Sequence, residues 1–555
     1  MYRHPIQSTL KSFALIGVLL ALAAPSLAQA RPPQLVLHVT IDQLRGDWPT
    51  RIEERLGTGG FRYLMSTGLY YTNAHYDHST TFTAVGHATL ATGGEAAQHG
   101  LAGNDWYDAE SESRVYCVED DRHHILGQEP KAHRGTSPRN LTSSTIGDEI
   151  KIASGGDARV FSVSIKDRGA ILPGGHLGKA FWYSKGTGEF VTSTYYYDEY
   201  PDWVAKWNAE GHADRYRGEH WELLHDRATY IHGDQDDRAF EKAYYDLGRT
   251  FPHPLDNPDD KSFYSGLRFT PMGDQLSLDF VEELIDQEAI GQRDTTDYLA
   301  VSFSATDYIG HAFGPESLEA EDNLLHLDRT LAELLRFVDD RVGLENTLIV
   351  LSSDHGVDAA PEYSAELGYR AGRLYPERFL AAVNEALGER FDTDRELVSA
   401  FWNPSLYLDL DNVETLDLDV RAVERALVEE ILKIDGVAMA MTRTQVLNGD
   451  VTDTAVTRKI QKAFHPTRSG NVLFIQDQFW YLYPSPEKFT AMHGSPYGYD
   501  TYVPIIIAGP GIEEGTVSRR VDPADIAPTI AAALGIKPPS GAIGTPLTEV
   551  IEAMP

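Results

Sequence analysis

Cysteine is nearly absent: Cys117 is the only one in 555 residues. No internal disulfide can brace the chain, and a cysteine-rich structural zinc site is excluded. Positive charge is scarce too. Lys and Arg number 48 against 83 Asp and Glu, a formal charge of −35. That argues against nucleic-acid binding, which requires basic surface. Beyond the first thirty residues no apolar run approaches the roughly 20 residues that a spanning helix needs. Internal repeats and low-complexity tracts are also missing. A chain without covalent braces relies on a large core, and 42% of its residues are apolar. The acidity sets a problem for any activity on anions. A local cluster of metal ions and cationic side chains has to overcome the global field.

What is present begins at the N-terminus. Arg3, His4 and Lys11 precede an apolar run over residues 13–24, which ends at Pro25 and is followed by Ala28-Gln29-Ala30. This is the pattern of a secretory signal peptide over residues 1–30, with cleavage near Ala30. No cysteine follows the run to carry a lipid. The expectation is a mature protein over residues 31–555, periplasmic or secreted, with no membrane anchor.

Five apolar runs read as buried parallel strands: Leu35–Ile41, Val160–Ile165, Tyr298–Phe303, Thr347–Leu351 and Val503–Ala508. Leu276–Ile285 and Leu318–Val338 carry apolar residues at helical spacing. Alternating strands and helices predict an α/β fold: a doubly wound, largely parallel sheet with helices on both faces. Residues of about 185–270 and 365–485 break the pattern and read as inserted cap segments over the mouth of the site. Ligands of such folds bind outside the carboxyl ends of the strands. Asp42, Lys166-Asp167-Arg168, Asp307 and Asp354-His355-Gly356 follow four of the strands.

Asp42, Asp307, His311, Asp354, His355 and the distant His493 make three carboxylates and three imidazoles. Split three and three, they leave an open position at each of two metals, as a catalytic site requires. Such a set accepts zinc, and also manganese or iron. In residues 78–90, small residues after Thr83 suit the start of a helix, whose N-terminus favours a phosphoryl group. A threonine hydroxyl becomes a nucleophile when a metal activates it. Thr80 and Thr81 are rivals on composition. His87, four residues after Thr83, reads as a helix-packing residue rather than a general base. Asn104, Lys166 and Arg168 are donors suited to phosphate oxygens, with Lys166 and Arg168 expected to point the same way along an extended segment.

The order Asp42, Thr83, Asn104, Lys166-x-Arg168, Asp307-x-x-x-His311, Asp354-His355, His493 resembles the alkaline phosphatase superfamily. It is most similar to the bacterial threonine-nucleophile branch, the PafA-type phosphatases. HATLATG, HGLAGNDWYD, SIKDRGAILPGGH and SSDHG carry the resemblance, which runs from about residue 33 to the C-terminus. Val85 stands where a proline is common in the family.

The resemblance implies two Zn2+ per chain. One lies on Asp307, His311 and His493, the other on Asp42, Asp354, His355 and Thr83. It implies phosphate contacts from Asn104, Lys166 and Arg168, and hydrolysis of small-molecule phosphate monoesters through a phosphothreonine at Thr83. The alternative is a phosphodiesterase or nucleotide pyrophosphatase of the same superfamily, a branch that lacks the Lys-x-Arg clamp. A sulfatase needs a modified Cys or Ser, and Cys117 lies in an unrelated setting. A non-enzymatic binding protein with structural metals would use closed sites, unlike this set.

Overall fold

The computed structural model describes Met1 and residues 32–554, except 403 and 483–487. The expected signal peptide lies, apart from Met1, outside the described residues. No helix among them is long and apolar enough to cross a membrane.

Nine strands form the main sheet: β1 (Leu35–Ile41), β2 (Leu69–His75), β3 (Val160–Ser164), β4 (Lys179–Tyr183), β5 (Phe190–Val191), β6 (Asp297–Phe303), β7 (Thr347–Ser352), β8 (Tyr502–Ala508) and β9 (Gly515–Val517). Their order is β9-β2-β8-β7-β1-β6-β3-β4-β5. The central five, β7 to β4, run parallel. Alternation along β1 shows why both faces are covered. Leu35, Leu37, Val39 and Ile41 enter one core with Leu276, Leu331 and Leu334 of α3 (Pro271–Gln287) and α5 (Leu318–Arg341). Val36 enters the other, with Ile146, Ile526 and Ile530. A strand buried on both sides has no polar face, hence the unbroken apolar runs.

Register aligns the strand ends. Thr40 pairs with Ser302 and with Ser352, and Ser302 pairs with Ser164. Asp42, Ser304, Ser353 and Ile165 therefore leave the sheet at one level. The fifth expected strand differs: β8 runs antiparallel to both β7 and β2. Composition cannot reveal this, since a strand buried on both faces looks alike in either direction. The reversal places the start of β8, and the segment from His493 that feeds it, at the chemically active edge. β2, antiparallel to β8, ends at that same edge and leads into Thr83.

α1 (Thr83–Thr92) is buried along its whole length. Lys166 and Arg168 do not share an extended segment. Lys166 (φ −104°, ψ 131°) is the last extended residue, and α2 (Asp167–Gly174) begins after it. α4 (Ala305–Phe313) carries Asp307 and His311 one turn apart. Its start is pinned by Asp274, whose Oδ1 accepts from the N–H groups of Ser304 (2.9 Å) and Ala305 (3.1 Å).

Within residues 185–270 the chain forms short helices and a pair of two-residue strands, His220–Trp221 and His253–Pro254. The Asp322 carboxylate on α5 ties this segment down by accepting from Trp221 Nε1 (2.7 Å) and Leu224 N–H (2.8 Å). Within 365–485 a four-stranded sheet, its strands all antiparallel to their neighbours, has its own core around Phe379, Leu427 and Phe474. Lys459 joins it to the loop before Thr83, donating to Tyr76 O (2.8 Å) and Pro496 O (3.0 Å).

α1 sits directly on the turn after β7. A Cβ on Gly86 would lie 2.0 Å from Asp354 O and 2.6 Å from its carbonyl carbon. Backbone cannot step aside, so Gly86→Ala destabilises the protein by about 1–3 kcal/mol despite the better helix propensity of alanine. Calorimetric melting checks the sign: an unchanged or raised midpoint would show that the contact yields.

Candidate active site

Strand ends deliver the candidate residues to one buried cluster. Asp42, Thr83, Lys166, Asp307, Asp354, His355, His311 and His493 are each at most 9% exposed. Two groups have ligand atoms all within 4.8 Å of one another: Asp307, His311 and His493, and Asp42, Asp307 and His355. The first is the expected trio. In the second, Asp307 stands where Asp354 was expected. Asp354 remains adjacent, its Oδ2 3.4 Å from His355 Nε2.

Each imidazole is oriented by main chain. His311 Nδ1 lies 2.7 Å from Ala491 O, His493 Nδ1 2.7 Å from Thr81 O, and His355 Nδ1 2.9 Å from Gly356 O. A carbonyl only accepts, so each Nδ1 carries a hydrogen and each Nε2 is the ring nitrogen left for the cluster. This is how metal-ligating histidines are held. Burial disfavours the charged form of two of them, lowering His355 to about 3 and pulling His493 below its ordinary value. The His355 and His493 rings stack 3.6 Å apart.

The carboxylates show the cost of their confinement. Burial, then the neighbouring Asp354, push Asp42 well above the usual carboxylate range. Burial pushes Asp307 and Asp354 up as well. It is outweighed by His311 and Lys166 at Asp307 and by His355 and His87 at Asp354, so both end below the usual range. Lys166 Nζ lies between two of the three, 2.8 Å from Asp42 Oδ2 and in contact with Asp307 Oδ2. Asp42 Oδ1 has no hydrogen bond among the described residues, while Asp42 Oδ2 has only the Lys166 ammonium and Asp354 Oδ2 has His87 Nδ1 at 3.1 Å. A buried carboxylate oxygen without a donor, in a group whose carboxylate oxygens and imidazole nitrogens lie within 4.8 Å of one another, fits a divalent cation.

Of the three candidate threonines, Thr83 meets both cationic and ligand groups. Its Oγ1 lies 3.3 Å from Arg168 Nη2 and 3.5 Å from His355 Nε2. Thr81 Oγ1 instead donates to Ser495 O (3.0 Å), and Thr80 Oγ1 has no partner. Thr83 is the first residue of α1 rather than its cap. Phe82 occupies the cap position without a capping side chain, and Asn104 Oδ1 accepts from Ala84 N–H at 2.8 Å. With its oxygen engaged there, the Asn104 amide has its hydrogens for an anion.

Two contributors were not assigned such a place in the sequence. Gln43 donates from Nε2 to Asp307 Oδ1 and from its backbone N–H to Asp354 Oδ1, both at 3.0 Å. Its only signal was adjacency to Asp42. His87 packs in the helix as expected. Its Nδ1 is 2.9 Å from Thr83 O and 3.1 Å from Asp354 Oδ2, and its Nε2 is 2.9 Å from Ser302 Oγ.

The family described as type I phosphodiesterase / nucleotide pyrophosphatase matches residues 36–500. A Myroides odoratus protein named calcium-transporting ATPase is 35% identical over 94% of this chain and 95% of its own length. Alkaline phosphatase PafA of Elizabethkingia meningoseptica is 34% identical over 97% and 98%. The crystal structure of wild-type PafA superposes with a TM-score of 0.87 at 33% identity, covering 94% of this chain and 99% of that one. With that sheet, those strand ends and these relatives, the chain belongs to the type I phosphodiesterase / nucleotide pyrophosphatase family of the alkaline phosphatase superfamily, and it is a PafA-type alkaline phosphatase.

Proposed function

We propose that the chain hydrolyses small phosphate monoesters in two displacements at phosphorus, with Thr83 as the nucleophile and two Zn2+ per chain as cofactors. The observation that carries this is the Thr83 hydroxyl, within 3.5 Å of both the Arg168 guanidinium and Nε2 of His355, a candidate metal ligand. Asp307, His311 and His493 would hold one ion, and Asp42, Asp354 and His355, with Thr83 itself, the other. Bound there, divalent ions supply Lewis acidity, lowering the pKa of a hydroxyl and stabilising charge on the departing oxygen.

The chain's own groups do the rest. Thr83 Oγ forms a bond to phosphorus as the ester oxygen leaves, giving a phosphothreonine. Water then displaces Thr83 and releases inorganic phosphate. Arg168, Lys166 and the Asn104 amide hold the non-bridging oxygens, where charge accumulates in the transition state. Three buried carboxylates face two cationic side chains, so the bare site is acidic. Two divalent ions reverse its sign and resolve how so acidic a protein takes a dianion.

The family match also admits diester hydrolysis as a second reading. Charge favours monoesters. A monoester presents three charged oxygens to Arg168 and Lys166, whereas a diester turns an ester substituent toward at least one of them. The two excursions, residues of about 185–270 and 365–485, we assign to shaping the entrance and so the choice of leaving group. The basic, apolar N-terminal pattern supports export with removal of residues 1–30.

Three outcomes test this. Thr83→Ala lowers kcat/KM for a chromogenic monoester by about 10³-fold or more, while Thr80→Ala and Thr81→Ala stay within about tenfold of wild type. Phosphothreonine trapped at Thr80 or Thr81 in mass spectra would move the nucleophile. Dialysis against a chelator abolishes turnover, and restoration requires about two zinc ions per chain by elemental analysis; full turnover of metal-free protein would end the metal mechanism. Arg168→Ala, alone or with Lys166→Ala, lowers monoester kcat/KM by roughly 10- to 10⁴-fold and diester kcat/KM far less. The single variant is the cleaner one, since Lys166 also neutralises Asp42 and Asp307. Faster diester than monoester hydrolysis by the wild type would install the second reading.

A further inference from the structure

We propose that Gln43 is a positioning residue that holds the two candidate metal groups in one fixed spatial relation. The proposal rests on the metal reading above. Gln43 bridges them physically. Its backbone N–H serves Asp354 and its side-chain amide serves Asp307. The Asp307 oxygen it reaches, Oδ1, is the one that meets the imidazoles, 3.2 Å from His311 Nε2 and 3.5 Å from His493 Nε2. Two hydrogen bonds from one residue thus set the rotation of one carboxylate in each of the two proposed ligand sets, Asp307 beside His311 and His493, and Asp354 beside Asp42 and His355. Loss of an outer partner of this kind typically costs about 10- to 100-fold in metal affinity.

Backbone and packing both indicate that the amide is what matters. Gln43 has φ 70°, the left-handed region that glycine enters freely and other residues rarely adopt. A glycine would make the same turn and the same backbone hydrogen bond without strain. The glutamine adds only its side chain, and that side chain is 2% exposed and aimed into the cluster. Room for it is made by Gly310 on α4, one residue before His311. A Cβ there would lie 1.9 Å from Gln43 Oε1. A carboxamide suits the place because it donates to Asp307 without adding a fourth negative charge to the cluster.

Gln43→Gly therefore keeps the turn and the bond to Asp354 but frees Asp307. Gly310→Ala should displace the same amide while improving helix propensity. Zinc binding is measured by competition with a chromogenic chelator, alongside melting of the metal-free proteins. The expected result is two zinc sites in wild type and, in both variants, one site weakened about 10- to 100-fold, with the apo melting temperature of Gln43→Gly equal or higher. Excess zinc then restores occupancy. Wild-type affinity at both sites in Gln43→Gly overturns the proposal. So does a fall in its apo stability that accounts for the metal loss, which would make Gln43 a residue of the fold. If wild type itself binds no zinc, the metal reading has failed, and that is seen before any variant is compared.

Discussion

Three carboxylates confined within a few ångströms of one another and away from water are the constraint around which the molecule is arranged. Asp42, Asp307 and Asp354 repel one another, and burial raises the cost of each charge. Every nearby element answers that repulsion. Lys166 comes from the end of β3 to sit between two of them, Gln43 donates to two, and three imidazoles are held by their Nδ1 atoms on main-chain carbonyls. A hydrophobic cluster at this place would be cheaper for the fold. The acidic one is retained at an edge where nine strands and several helices can hold it rigid.

Rigidity comes from the level register of the strands. The polar residues that leave β1, β6 and β7 start from paired positions, so their side chains meet without long loops. The helix starts are held the same way, by donors and acceptors supplied from elsewhere: Asn104 for α1 and Asp274 for α4. The geometry of the candidate cluster is thus built from regular structure.

Much of this was legible in the chain. Apolar β-branched runs closing on Asp42 or on Asp354-His355 mark buried strands that end in chemistry, and the four-residue spacing of Asp307 and His311 fits one helical turn. What stayed hidden has physical reasons. The direction of β8 depends on its partners, and apolar composition does not encode it. The start of α2 at Asp167 could not be seen because its cap position, Lys166, carries no capping side chain. Gln43 left no trace because a left-handed glutamine looks like any other, and its value appears only when Asp307 and Asp354 are brought beside it. The allotment of carboxylates between the groups is likewise a matter of ångströms that spacing cannot resolve.

The reversed direction of β8 carries a consequence for how the chain is closed. His311 leaves the sheet edge after β6, and His493 returns to that edge just before β8, with the whole four-stranded excursion between them. An ion held by both would act as a cross-link spanning that excursion, stapling its exit to the core at the place where the chain re-enters the sheet. The entropy of closing a loop rises only slowly with its length, by about 0.6 kcal/mol per doubling. With its entrance fixed by β7 and its exit by His493, the excursion rests on its own core around Phe379, Leu427 and Phe474. It can lengthen, shorten or be replaced while the buried cluster at the strand ends stays where it is.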